Sequence, residues 1–230
     1  MNLLRYTLRI CFLLIFVLGV GCENQERKPV AEPVTISPQY QGSIIAVGNS
    51  LTAGLGVSER NAWPALVEHK LRQEGYSRQV INAGISGETS SALLRRIKWI
   101  LSQKPDIVIL ESGANDALRG IPIPVIKDNI SKAVQMLQEG NVTVILAGMQ
   151  IVRNLGPVYT ESFAAIYPAI AEERQCLLIP FLLEGVAGEA SLNQRDTIHP
   201  NEEGHSIIAR TVYPFVLQAL QTELSLKNML

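Results

Sequence analysis

Three cysteines, three histidines and 6% aromatic residues across 230 positions leave few of the common site chemistries available. Cys11 and Cys22 lie within or at the end of an N-terminal apolar segment, which leaves Cys176 alone in the rest of the chain. No intrachain disulfide is therefore expected, even in an oxidising compartment. Cys176 opens the apolar run Cys176-Leu177-Leu178-Ile179 and reads as a buried structural thiol, not a nucleophile. His199 and His205 share no zinc-ligand spacing with a third donor, so no metal is expected. The formal net charge is only −1 and no basic block appears, which argues against a nucleic-acid partner. Gly84 and Gly87 are followed by no Lys-Ser/Thr pair, and no Gly-x-Gly-x-x-Gly occurs, which removes the common phosphate loops. What remains is 47% hydrophobic and 18% charged, the balance of a globular chain with a sizeable core. The length suggests one domain, and no internal repeat is present.

The N-terminus stands apart. Arg5 and Arg9 precede an apolar run of about ten residues, too short for the ~20 that span a bilayer but suited to a secretory signal. The run ends Leu18-Gly19-Val20-Gly21-Cys22, which resembles a bacterial lipoprotein signal, although Gly19 stands where leucine is usual. The resemblance implies lipidation of Cys22 as the mature N-terminus. With Glu23 next in place of aspartate, it also implies an outer-membrane anchor facing the periplasm. A plain signal peptide cut nearby, or an uncleaved anchor, is the alternative. Residues 23–41 are polar, carry Pro29, Pro33 and Pro38, and read as an extended tether. About twenty such residues reach roughly 60 Å. The expected organisation is a signal over 1–21, a tether over 22–41 and one domain over 42–230.

From residue 43 onward, apolar runs of strand length alternate with helical patterns. Strands are expected over 43–47, 79–82, 106–110, 142–147 and 177–181. A helix over 62–74 carries Pro64 in its first turn, where a missing N–H costs little. A second, over 88–102, puts Leu93, Leu94, Ile97 and Leu101 on one stripe. A third, over 124–139, has Ile126, Ile130, Val134 and Leu137 in register and ends at Gly140. A fourth, over 160–174, should be kinked by Pro168. A last, over 201–220, turns Ile208, Val212, Phe215 or Val216, and Ala219 inward. Residues 106–110 (DIVIL) lack polar alternation, as strands buried on both faces of a parallel sheet do. Right-handed crossovers then give an α/β fold, a three-layer α/β/α sandwich around a mainly parallel five-stranded sheet.

Chemistry in such sheets gathers at the C-terminal ends of the strands. Gly48-Asn49-Ser50 follows the first strand, and Asn82-Ala83-Gly84-Ile85-Ser86-Gly87-Glu88-Thr89 the second. Glu111-Ser112-Gly113-Ala114-Asn115-Asp116 follows the third, and Asp196-Thr197-Ile198-His199-Pro200 precedes the last helix. Each block alone is ordinary turn punctuation. Together they supply the parts of nucleophilic catalysis. A serine hydroxyl needs an adjacent base, and an imidazole base needs an acceptor to fix its tautomer. Ser50, His199 and Asp196 are the candidate nucleophile, base and orienting acid. The backbone N–H groups of Ser50 and Gly84 and the side-chain amide of Asn115 are the candidate oxyanion donors, with glycine at 84 allowing a ligand close to the backbone. His69 reads as solvated on a helix face; His205 either faces the site or packs on its rim.

These four blocks, in this order, resemble the SGNH-hydrolase superfamily, also called GDSL hydrolases, and within it the bacterial thioesterase I, lysophospholipase and arylesterase group. The resemblance spans residues 43–220. It implies a flavodoxin-like sheet, the same roles for Ser50, Asp196, His199, Gly84 and Asn115, an acyl-enzyme, and no metal or organic cofactor. One position departs: the family usually has aspartate where Asn49 stands. Asparagine keeps the shape and one acceptor, loses the charge and gains two donors. Activity is expected to survive, with Asn49→Asp changing the rate by less than about tenfold, or ~1.4 kcal/mol.

The loops over 117–125 and 150–159 are the expected pocket walls, through Leu118, Ile121, Ile123, Ile151, Val152 and Leu155. An apolar lining with few aromatic platforms suits an acyl chain better than a sugar. The expected activity is hydrolysis of short-to-medium acyl esters and thioesters, lysophospholipids included, by a monomer. A carbohydrate O-acetylesterase of the same superfamily is one alternative. A catalytically silent tethered binding protein is another, which has no need of a complete triad.

Overall fold

The aliphatic runs at the strand positions leave no polar face for water, and a computed structural model places all of them in one sheet. The structure describes residues 40–151 and 155–227; the expected signal, nearly all of the tether and Val152 lie outside the described residues. β1 (Ser43–Gly48), β2 (Gln79–Gly84), β3 (Ile107–Glu111), β4 (Thr143–Ala147) and β5 (Leu177–Ile179) take the order β2-β1-β3-β4-β5, every neighbouring pair parallel. This is the flavodoxin-like order. Ile44, Ile45, Ala46 and Val47 of β1 and the whole of β3 are buried, the two-sided burial that the lack of alternation implied. Gly48 pairs in register with Gly84, and Val47 with Leu110, so β1, β2 and β3 end level with one another. Three loops therefore open at one edge. The winding reverses between β1 and β3, and that gap is the switch-point crevice.

Eight helices cover the sheet among the described residues: α1 (Ser50–Ala53), α2 (Trp63–Gln73), α3 (Ser90–Ser102), α4 (Ala114–Leu118), α5 (Ile123–Glu139), α6 (Pro157–Ala164), α7 (Ile166–Arg174) and α8 (Glu202–Lys227). α2 packs on α8, and α5 packs between α3 and α7. Thr89 caps α3 by accepting the Ala92 N–H at 3.3 Å. The buried stripe of α3 is Leu93, Ile97 and Ile100, while Leu94 and Leu101 flank it half-buried. In α8, Val216 joins Ile208, Val212 and Ala219 in the core, and Phe215 packs at its margin.

The expected single helix over 160–174 is two helices. Pro168 has no N–H for the Ala164 carbonyl and its ring crowds that carbonyl, so the helix breaks at Ala165 and Pro168 falls in the first turn of α7. Phe163 and Tyr167 close the break edge to face, with ring centroids 5.6 Å apart, a contact worth about 1 kcal/mol beyond its area. Tyr167 then donates its hydroxyl to the Ser112 carbonyl at 2.7 Å, which pins the end of β3. α1 and α4 were not expected; at four and five residues they are too short to show a helical period.

Candidate active site

β1 ends in a glycine because nothing larger fits: a Cβ at Gly48 would lie 2.3 Å from Thr52 Oγ1 and 2.4 Å from Glu111 Oε2. Asn49 leaves the strand direction and caps α1, its Oδ1 accepting the Leu51 N–H at 2.9 Å. Ser50 is the first residue of α1, where a backbone N–H has no acceptor within its own helix. The turn thus presents a hydroxyl and a free N–H side by side.

The partner turn lies 149 residues away in sequence. Asp196 Oδ1 accepts the N–H groups of Ile198 and His199 at 3.1 and 3.0 Å, a tight turn in which Thr197 takes φ +66°. Its Oδ2 meets His199 Nδ1 at 2.7 Å, and His199 Nε2 meets Ser50 Oγ at 2.9 Å. The His199 backbone N–H, then its ring, then the Ile198 N–H hold the Asp196 carboxyl down to about 2, so it is charged at any working pH. A neutral His199 therefore carries its proton on Nδ1 and aims the Nε2 lone pair at the serine. Gln194 braces the turn: its N–H donates to the His199 carbonyl at 2.8 Å, and its Nε2 to the carbonyls of Leu55 and Pro200 at 2.6 and 3.0 Å.

Asn115, in the first turn of α4, donates through Nδ2 to the Glu88 carbonyl at 3.0 Å and keeps a second N–H for the cavity it lines. Asp116 anchors α4 to α3 by accepting the Ser90 N–H at 2.8 Å and the Ser90 hydroxyl at 2.6 Å. Arg96 grips both oxygens of Glu88 at 2.6 and 2.7 Å and the Ala83 carbonyl at 2.8 Å, which stiffens the loop after β2.

Gly84 does not face the cavity. Its N–H donates to Asn82 Oδ1 at 3.0 Å, and a Cβ there would meet the Ala53 backbone nitrogen at 2.2 Å. It is glycine so that β2 can end against α1, not so that a ligand can approach. The open glycine of this loop is Gly87, exposed at φ +80°, its carbonyl accepting from Arg119 at 3.1 Å. His205 does not enter the site either. It is 1% exposed and accepts the Trp63 N–H at Nδ1 across 3.3 Å, with burial pushing its pKa down to about 4. His69 is exposed, and Cys176 is half-buried with its thiol pushed up to about 11 by burial.

A cavity of about 460 Å³ opens beside Ser50 and His199. Of the expected lining, Leu118 and Ile151 belong to it. Ile121 packs on the core and gives its carbonyl to the Tyr159 hydroxyl at 2.8 Å. Ile123 and Leu155 line a separate depression with Pro157 and Val158. The walls that sequence reasoning missed are Leu51, Met149, Phe181, Leu183, Ala187 and Ile198. Most of these follow β5 or flank the histidine turn, in irregular chain where no period marks an inward face. Among the described residues, no group of three or more His, Cys, Asp or Glu is placed to hold a metal ion.

Residues 46–207 match the GDSL-like Lipase/Acylhydrolase family. The chain is 37% identical over 173 residues to Esterase TesA of Pseudomonas aeruginosa, covering 75% of this chain and 86% of that protein. It is 36% identical over 168 residues to Thioesterase 1/protease 1/lysophospholipase L1 of Escherichia coli K12, covering 73% and 79%. The solved psychrotrophic esterase EstA from Pseudoalteromonas superposes with a TM-score of 0.75 at 33% identity, covering 78% of this chain and 99% of that one.

Proposed function

This chain belongs to the GDSL-like lipase/acylhydrolase family and is an ester hydrolase, and from that premise we propose that it works through Ser50, His199 and Asp196 on short-to-medium acyl esters and thioesters. The observation that carries the reading is the unbroken chain of contacts, 2.7 Å from Asp196 to His199 and 2.9 Å from His199 to Ser50, at the mouth of a mostly aliphatic cavity. Ser50 Oγ attacks the acyl carbonyl carbon as its proton passes to His199 Nε2, and Asp196 stabilises the imidazolium. The carbonyl oxygen becomes an oxyanion that accepts from the Ser50 backbone N–H and Asn115 Nδ2, with Gly87 in place of Gly84 as the third donor. As the tetrahedral centre collapses, the bond to the leaving alcohol or thiol breaks and Nε2 protonates it. Water then gives its proton to Nε2, attacks the acyl-serine, and releases the acid and the serine hydroxyl.

The cavity favours an acyl chain. Among the described residues, Phe181 is the one Phe, Tyr or Trp in its lining, which offers no stacking face pair for a sugar. We place the enzyme outside the cytoplasm, as a monomer tethered through lipidated Cys22 to an outer membrane, with lysophospholipids as substrates within reach. The test is a series of nitrophenyl esters from acetyl to decanoyl, a lysophospholipid and an acetylated glycan, each run beside Ser50→Ala. Turnover peaking at intermediate chains, with a fall of about 10³-fold or more in Ser50→Ala, is expected. Preference for the acetylated glycan overturns the substrate class, and an active Ser50→Ala overturns the nucleophile.

A further inference from the structure

Glu111 closes β3 with no solvent exposure, and the mechanism above makes no use of it. Three donors meet its carboxylate. The Asn49 backbone N–H reaches Oε2 at 2.8 Å, the Thr52 hydroxyl reaches Oε2 at 3.2 Å, and the Asn49 side-chain NH2 reaches Oε1. The other end of the same amide faces the nucleophile: Asn49 Oδ1 accepts the Leu51 N–H at 2.9 Å and lies 3.5 Å from Ser50 Oγ. Asn49 therefore links a buried anion to the serine turn, and its amide has one orientation that satisfies both ends. Turned over, it would aim NH2 at the Leu51 N–H and its oxygen at a carboxylate.

We propose that Glu111 is a positioning residue that acts as a carboxylate to fix the Asn49 amide, and through it the Ser50 hydroxyl, in register with His199. The proposal rests on Ser50 being the nucleophile. Burial pushes Glu111 up to about 7, while the Asn49 backbone N–H and the Thr52 hydroxyl draw it down and the charge of Glu88 adds to the rise. The Asn49 NH2 acts in the same direction as the other two donors. The charged and titratable groups around it are otherwise committed. Glu88 is paired with Arg96, Asp116 accepts from Ser90, and the Tyr167 hydroxyl donates to the Ser112 carbonyl. α1, β1 and β4 contribute no ionisable side chain.

The hydrogen-bond directions can be reversed as a set, and that is the test. Glu111→Gln alone sets two amide NH2 groups against each other or turns Asn49 over. Asn49→Asp alone sets two carboxylates face to face, which must share a proton. The double replacement restores every bond: the new amide donates to the new carboxylate, which still accepts from Leu51. kcat and KM are measured on one nitrophenyl ester across about pH 6 to 9, each variant as a ratio to the parent, with urea unfolding alongside.

Glu111→Gln should lower kcat about tenfold or more above about pH 7, where Glu111 is ionised, and by less toward pH 6, with KM little changed. Asn49→Asp should hold within about tenfold at the acidic end and lose kcat as rising pH removes the shared proton. The double variant should return to within about threefold of the parent above about pH 7. Parent-like kcat in Glu111→Gln above about pH 7, or a double variant that recovers stability there but no better kcat than its worse single, overturns the proposal. Failure of the nucleophile reading shows separately, as activity in Ser50→Ala whatever the swap does.

Discussion

His205 folds neutral, because its Nδ1 accepts the Trp63 N–H and its ring is 1% exposed, and burial takes its pKa from 6.5 to about 4. Between those values the unfolded chain holds the histidine proton and the native state refuses it. Stability from this group is therefore complete above pH 6.5 and declines as pH falls, by about 1.4 kcal/mol per unit and about 3 kcal/mol across the window. Glu111 works the other way. Its pKa rises from 4.5 to about 7 on folding, so the native state holds the extra proton and stability declines as pH rises through that range. The two slopes oppose, and the parent should be nearly flat between about pH 5 and 6.5. His205→Asn keeps an acceptor near the Nδ1 position and removes one titration. Its unfolding free energy should fall by about 2 kcal/mol from pH 5 to 6.5, whereas that of Glu111→Gln should rise by about as much. Urea unfolding of the three proteins at both pH values reads this directly. A His205→Asn profile parallel to the parent would refute the argument, because it would mean that the ring titrates alike in both states.

Asn115→Ala should lower kcat about 10²- to 10³-fold with KM almost unchanged, since its free N–H matters most to the oxyanion; an unaltered kcat removes it from that role. Gly84→Ala should lose about 1–3 kcal/mol in urea unfolding because its Cβ strikes the Ala53 backbone, with no loss of kcat beyond what its lost stability causes. Gly87→Ala meets no close neighbour, costs about 1 kcal/mol for its left-handed φ, and should lower kcat in the folded enzyme. If kcat of the folded enzyme falls alike in the two glycine variants, the reassignment of the donor from one to the other is wrong. Cys22→Ala should leave the membrane fraction and lose incorporation of labelled fatty acid; unchanged fractionation without label would dismiss the lipid anchor.

Periodic elements were legible and aperiodic ones were not. Two-sided burial of β1, β3 and β4 makes continuous aliphatic runs, so the strands could be read to within a residue or two. Helices long enough to show two turns of a stripe, such as α5 with Ile126, Ile130, Val134 and Leu137, were equally plain. Pro168 was read as a kink, but its consequence depends on which residue can start a new helix, and the Phe163–Tyr167 contact that favours Ala165 as the break is tertiary.

The same division runs through the site. Ser50, Asp196, His199 and Asn115 stood out as candidates because chemistry limits which residue types can serve as nucleophile, orienting acid, base or oxyanion donor, whatever surrounds them. Gly84 was misjudged because a glycine's reason lies in what occupies the space a Cβ would take, here the backbone of α1, and that neighbour is invisible in one dimension. Glu111 was hidden for a related reason. In sequence it is one acidic residue at the end of an apolar strand; only the parallel pairing of β1 and β3 brings its carboxylate under Asn49. That pairing also explains why position 49 is not free to vary alone. Its side chain must match the hydrogen-bonding sense of residue 111, so the amide at 49 and the acid at 111 are one unit split between two strand ends. A replacement at either position is a statement about both.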